Sequence, residues 1–254
     1  MSRPLKFFIV TGEHSGDALG GKLMPALRDA IDAPIEFAGL GGSQMMQAGL
    51  EPLFALDDVI VMGPVAIAKA YPRLRRRALE CVAAAVAADP DLVIIIDAPE
   101  FTHPIAKRVR KRRPDIPIVN YVSPSVWAWR PGRAKKMRPY VDHLLALLPF
   151  EPDAHERLGG PPCTYVGHPL SEQIDAIKAI DPRPLAERLG ISAEDQTIVV
   201  LPGSRTSELD QLLGPFRETI SQVAKRNADA GLPGPHVLMP SVPRHLDRLT
   251  RETQ

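Results

Sequence analysis

The sequence predicts a doubly wound, parallel α/β fold, and two observations carry that expectation. Short, wholly apolar runs alternate with helical stretches, as in Leu92 to Ile96 between a helix ending near Ala88 and another beginning near His103. Strands buried on both faces carry such runs, and both faces are covered when helices cross over a parallel sheet. The chemically unusual residues also gather just after the apolar runs: Gly12 to Asp17, Asp97 to Glu100, Ser123 to Arg130 and Gly203 to Glu208. Ligands of open α/β sheets sit outside the carboxyl ends of the strands, so this clustering points to a functional cleft.

In chain order, Lys6 to Val10 is a first strand, followed by a helix over about Asp17 to Ala30 and a strand over Glu36 to Leu40. Pro72 to Ala88, rich in Ala and Arg, is a helix stopped by Asp89-Pro90. After Leu92 to Ile96 come a helix over His103 to Arg112, strands over Pro117 to Val122 and Leu144 to Leu148, and a basic helix between those two. Pro161-Pro162 and a Pro-rich linker over Asp181 to Pro184 mark a second unit. It holds strands over Thr197 to Leu201 and His236 to Met239, separated by a helix over about Glu208 to Ala230. The expected domains are 1–160 and 161–254. Two strands and two helices are too few to close a doubly wound sheet, so the second domain is expected to be incomplete in this chain.

Composition narrows the function. Apolar residues make up 44% and charged residues 24% of the chain, ordinary for a globular protein. A net charge of +1 argues against electrostatic nucleic-acid binding by the whole molecule. Locally, Arg73, Arg75, Arg76 and Arg77 cluster, as do Lys107 to Arg113 and Arg130 to Arg138. These are solvated helix faces or surfaces for anionic phosphates or lipid. Cys81 and Cys163 have no metal-ligand or disulfide-framework spacing and are expected to be reduced, in a cytoplasmic protein. No apolar run approaches the ~20 residues of a membrane span.

Four motifs are candidates for chemistry. The Gly12-Glu13-His14-Ser15-Gly16-Asp17 turn exposes amides that suit an anion or sugar hydroxyls; alternatively it is an ordinary strand–helix turn capped by Ser15 or Asp17. Asp97, at the end of a buried strand, is either a general base or a cap for the loop before Pro99, with Glu100 a second candidate. The tract Ser123-Pro124-Ser125-Val126-Trp127-Ala128-Trp129-Arg130 holds both tryptophans of the chain. Their faces either stack on sugar and acyl groups or lock the loop to the core. Gly203-Ser204-Arg205 with Glu208 either holds a diphosphate through Arg205 or is a turn and cap.

Taken together and in order, these tracts resemble the lipid-A-disaccharide synthases, a glycosyltransferase family. The matching residues are Thr11 to Asp17, Gly39 to Gly42, Val61-Met62-Gly63, Ile96 to Phe101, Tyr121 to Arg130, Leu148 to Glu151, Val166 to Pro169 and Leu201 to Arg205. The resemblance implies a GT-B fold of two Rossmann-like domains, an acceptor-side domain over 1–160 and a partial UDP-sugar-side domain over 161–254. It implies inverting transfer of a 2,3-diacylglucosamine unit from UDP-2,3-diacylglucosamine to 2,3-diacylglucosamine 1-phosphate, giving a β-1,6 disaccharide and UDP without metal or cofactor. Asp97 is then the catalytic base. Substrate contacts fall on Glu13, Ser15, Gly16, Asp17, Met62, Ser123, Ser125, Trp127, Trp129 and Arg130, and UDP-sugar contacts on Gly203, Ser204, Arg205 and Glu208. A homodimer and peripheral contact with the cytoplasmic face of the inner membrane are compatible with the resemblance. The chain departs from it at Ala66, where an acidic residue is usual, at Glu100, where Asp is frequent, and in lacking a later nucleotide-holding tract. The alternatives are a shortened homologue that binds lipid or a partner without catalysis, and another GT-B enzyme acting on UDP-GlcNAc, such as an epimerase.

Overall fold

The computed structural model describes residues 3–61, 64–203 and 206–253. The chain divides into two compact units, 1–175 and 176–254. The first unit alternates β1 (Leu5–Thr11), α1 (His14–Ala30), β2 (Ile35–Leu40), a short α2 (Ser43–Gln47) and α3 (Pro64–Ala88). It continues with β3 (Leu92–Ile96), α4 (Pro99–Arg112), β4 (Ile118–Tyr121), α5 (Gly132–Met137), β5 (His143–Ala146), α6 (Glu151–Arg157) and β6 (Cys163–Tyr165).

All six strands are parallel, in the order β2-β1-β3-β4-β5-β6. The chain leaves β1 toward β2 on one side and returns as β3 on the other. The switch point, where helices depart in opposite directions and a crevice opens, therefore lies outside the ends of β1 and β3. Strands β1 and β3 bury nearly every side chain, Phe8, Ile9, Val10, Ile94, Ile95 and Ile96 among them. One core packs Phe8, Val10 and Ile95 under α3 and α4; the opposite face packs Phe7, Ile9, Ile94 and Ile96 against Met24 and Met45.

Several element bounds differ from the sequence expectation, for local reasons. Helix α3 begins at Pro64 and runs through Pro72, which was expected to start it. Helix α4 begins at Pro99 rather than near His103, because Ala98 turns the chain in a left-handed conformation and Pro99 supplies a first helical residue that needs no amide partner. Strand β6, unforeseen in the sequence, pairs with β5 and carries the first unit past residue 160 to Asp175. Of the segment expected as a linker over Asp181 to Pro184, the last two residues open a helix.

The second unit contains α8 (Arg183–Leu189), β7 (Thr197–Val199), α9 (Thr206–Asp229), β8 (His236–Leu238) and α10 (Leu246–Thr253), with α7 (Ile174–Lys178) at the boundary. Its two strands are parallel, and Leu209, Leu213 and Leu249 form its buried cluster.

Candidate functional site

The site is assembled by three consecutive strand ends. Thr11 of β1 pairs with Ile96 of β3, and Ile96 with Tyr121 of β4, so the loops opening at Gly12, Asp97 and Val122 emerge side by side. Gly12 is needed for that proximity: a side chain there would put its Cβ 2.9 Å from the Ala98 Cβ and 3.1 Å from the Phe101 ring. Gly16 lets α1 sit directly over the sheet, since a Cβ would fall 2.0 Å from Thr11 Oγ1.

Asp97 and Ala98 both adopt left-handed backbone conformations, with φ of 50° and 43°. Neither is glycine, and such residues cost of order 1–3 kcal/mol each. The surroundings hold the turn closed. The Asp97 amide donates to the Tyr121 carbonyl at 3.0 Å, and Thr102 Oγ1, fully buried, donates to the carbonyls of Asp97 at 2.7 Å and Ala98 at 3.1 Å. Across the switch point, Ser15 Oγ donates to Asp97 Oδ2 at 3.0 Å. The Asp97 carboxylate is half-buried, and among the described residues no donor engages its Oδ1.

Asp17 does not cap its own helix, as one reading of the turn expected. Its carboxylate is buried and accepts amides from Gly42 at 2.7 Å, Gln44 at 3.0 Å and Met45 at 3.0 Å. It caps the start of α2, not of α1, whose N-cap position is Glu13 with no side-chain cap. With its lone pairs committed to three amides, Asp17 fixes the 42–45 loop beside the site. Glu13 is exposed at the mouth of the turn, its amide donating to Thr11 Oγ1 at 3.5 Å.

The two tryptophans differ in their contacts. Trp127 Nε1 donates to Glu151 Oε1 at 3.3 Å, and its ring meets Phe150 edge-on at 5.1 Å. Glu151 is itself buried and takes the amides of Leu147 and Leu148 on Oε2. Trp127 thus anchors the tract to the start of α6 while remaining 46% exposed. Trp129 is 59% exposed, with the Arg130 guanidinium 4.1 Å from its ring centroid. Ser123 is buried, its Oγ 2.9 Å from His155 Nε2, and burial pushes the His155 pKa down. Ser125 is exposed, and its carbonyl accepts from the amides of Ala128 and Trp129. Val122, β-branched with φ of 78°, enters the tract under strain and is held by its amide on the Leu145 carbonyl. Glu151 and His155, which support the tract from beneath, were not singled out as site residues from the sequence; nothing but the fold brings α6 there.

Next to the tract, Glu100 meets Arg133 at 2.5 Å and Arg130 at 3.6 Å. In the second unit, Gly203 has φ of 103°, and a side chain there would place its Cβ 2.3 Å from Glu208 Oε2, so Glu208 folds over this glycine at the start of α9. Met62, Ser204 and Arg205 lie outside the described residues. Among the described residues no three His, Cys, Asp or Glu side chains gather as a metal site.

The two units of parallel α/β structure, with polar residues at the strand ends, are of the GT-B fold class. Solved structures agree on the fold. One UDP-GlcNAc 2-epimerase, from Neisseria meningitidis and bound to UDP-GlcNAc, matches with a TM-score of 0.62 at 11% identity, covering 95% of this chain and 67% of that one. A putative UDP-N-acetylglucosamine 2-epimerase from Listeria monocytogenes matches at 0.62 and 13% identity, covering 100% and 67%. Identities this low establish the fold alone. The sequence is more specific: a family model described as lipid-A-disaccharide synthetase matches residues 7–253, and the chain belongs to that family. It is 52% identical over 216 residues to the lipid-A-disaccharide synthase of Nitrobacter hamburgensis, covering 85% of this chain and 53% of that protein. It is 49% identical over 246 residues to that of Nitrobacter winogradskyi, covering 96% and 60%. The chain therefore spans little more than half the length of these relatives.

Proposed function

We propose that the chain takes part in inverting glycosyl transfer between acylated glucosamines: a 2,3-diacylglucosaminyl unit passes from UDP to the 6-hydroxyl of 2,3-diacylglucosamine 1-phosphate. The observation carrying this reading is Asp97, held in a strained, over-determined turn at the switch point of the sheet with one carboxylate oxygen engaged by Ser15. The family match supports this class of reaction, and the strand-end position of Asp97 supports its role as the base. Asp97 takes the proton of the acceptor hydroxyl as its oxygen attacks the anomeric carbon; the bond to the diphosphate breaks on the opposite face, and UDP leaves with the electron pair. The Ser15 hydroxyl orients the carboxylate, Trp129 offers a face for sugar or acyl chain, and Arg205 is the candidate contact to the diphosphate.

Both substrates carry acyl chains, which supports a site of action on the cytoplasmic face of the inner membrane, reached from the cytoplasm. No helix among the described residues is long and apolar enough to cross a membrane. The test is UDP release by this chain from the acylated donor. Release should require the acceptor and fall at least ~100-fold in Asp97→Asn, the usual range for removing a general base. Acceptor-independent turnover, or an unchanged rate in Asp97→Asn, would overturn the assignment, and absence of release would favour a non-catalytic binding role.

A further inference from the structure

The geometry points to a second, anion-selective subsite beside Asp97: a basic cleft between α4 and α5 that binds a phosphate monoester, of the kind a sugar 1-phosphate presents. The cleft, about 540 Å³, lies wholly in the first unit. Lys107 on one side faces Arg130, Arg133 and Lys136 on the other, and Glu100 is the only carboxylate lining it. Two of the three basic clusters in the sequence therefore converge on one cavity.

The local charge is poorly compensated. Arg130 and Arg133 share the single Glu100 carboxylate, although each guanidinium presents five donors. Arg133 is only 20% exposed at its side chain, so water screens it incompletely. Lys107 Nζ rests 5.0 Å from the Tyr140 ring centroid, and Lys136 has no ion-pair partner among the described residues. The floor adds no negative charge. His103 is buried with Nδ1 3.0 Å from the Tyr140 hydroxyl, and burial, reinforced by Arg133 and Lys107, pushes its pKa down to about 4. Burial likewise pushes the Tyr140 phenol up to about 12. Both groups are uncharged near neutral pH, so the four cations are balanced by one acid. A dianionic phosphate would satisfy them through charge-assisted hydrogen bonds. A bare carboxylate would leave most of the donors unmet.

Its location ties the cleft to the reaction. Glu100 lies three residues after Asp97, and Arg130 ends the tryptophan tract. Pro99 and Glu100, at the start of α4, line the cleft, so it opens beside the turn that carries Asp97. This inference rests on the functional reading above only for the identity of the sugar; the phosphate preference stands on the cleft itself.

The test is equilibrium dialysis of the chain with glucosamine 1-phosphate, with glucosamine and inorganic phosphate as competitors. Binding should weaken at least tenfold in Lys107→Gln/Lys136→Gln. Both lysines are exposed, so the fold should survive, which a thermal melt checks. Arg108→Gln/Lys111→Gln, which removes equal charge from α4 outside the cleft, should stay within twofold of the parent. Glucosamine should fail to compete, and inorganic phosphate should compete more weakly than the sugar phosphate. Equal weakening in both double variants would reduce the effect to bulk charge. Competition by phosphate as strong as by the sugar phosphate would mean a free-phosphate site. Cleft-dependent binding to phosphatidylglycerol vesicles without binding of the sugar phosphate would mean a bilayer contact. Each of these outcomes, or no binding at all, overturns the proposal. Because the readout is binding, Asp97-dependent UDP release can persist when the cleft proposal fails, and the reverse.

Discussion

The two units use the same strand–helix grammar with very different amounts of burial. In the first, β1 is buried from Phe7 onward, and the whole β3 run after Leu92 is buried. In the second, β7 and β8 have no fully buried residue, Val199 is 58% exposed, and the apolar cluster comprises three leucines with Met239 packed against it. The difference explains where an active turn can be built. Left-handed Asp97, Ala98 and Val122 are stable only where neighbouring groups over-determine them. The first unit supplies those constraints through the Tyr121 and Leu145 carbonyls and the buried Thr102 hydroxyl.

The largest expected effect tests this contrast directly. Ile95, fully buried between β1 and β4, should cost about 3 kcal/mol on replacement by Ala, from lost transfer energy plus the cavity. Both tryptophans lie in the first unit, so indole fluorescence reports that unit alone, whereas far-UV circular dichroism also senses α9 and α10. In urea the dichroism transition should begin before the fluorescence transition, and Ile95→Ala should move the fluorescence midpoint most. Coincident transitions in the parent would show one cooperative unit and remove the distinction.

Acid should weaken the first unit in a defined window. Burial lowers the His103 pKa to about 4, whereas an unfolded histidine titrates near 6.5. Between those values the unfolded chain binds the proton and the folded chain does not. The stabilisation is therefore complete above about pH 6.5 and is lost as pH falls toward 4. The shift corresponds to roughly 3 kcal/mol at the bottom of the window. His155, lowered by burial as well, acts in the same direction. Fluorescence-detected urea midpoints between pH 7 and 4 should fall steeply in the parent and less steeply in His103→Gln. Parallel slopes would mean that His103 does not carry the effect.

A site-level prediction is smaller. Ser15→Ala removes the hydroxyl that engages Asp97 Oδ2 while leaving the turn and its buried glycines in place. Loss of one hydrogen bond to a carboxylate, about 1 kcal/mol or somewhat more, should slow UDP release roughly five- to tenfold at unchanged fluorescence stability. A loss as large as that of Asp97→Asn would make Ser15 part of the proton-transfer step and not an orienting group.

The sequence exposed the strands of the first unit and the loops at their ends, because fully apolar runs and unusual turn residues are local signals. Leu92 to Ile96 was legible residue for residue. What escaped depends on distant partners. Asp17 reads as a cap for its own helix, and only the fold shows its carboxylate reaching across to the amides of Gly42, Gln44 and Met45. Glu151 and His155 carry no local mark of supporting Trp127 and Ser123, 24 and 32 residues earlier. Strand β6 has only three residues, none of them fully buried, too short for a periodicity to appear. Pro99 and Pro72 suggested breaks, but a proline in the first turn costs no hydrogen bond, and α3 accommodates Pro72 within a helix of 25 residues.

The smallest effect is expected in the second unit. Val199→Ser exchanges a side chain of β7 that is already 58% exposed, so little transfer energy is at stake. Its cost should remain within about 0.5 kcal/mol, the usual range for surface sites, with a minor further loss of β-propensity. The dichroism transition, which senses this unit, is the appropriate readout. A loss above about 1.5 kcal/mol would place Val199 in a packed environment comparable to that of Ile95. The second unit would then owe its strands to burial as the first does, and the contrast that confines strained turns to the first unit would no longer hold.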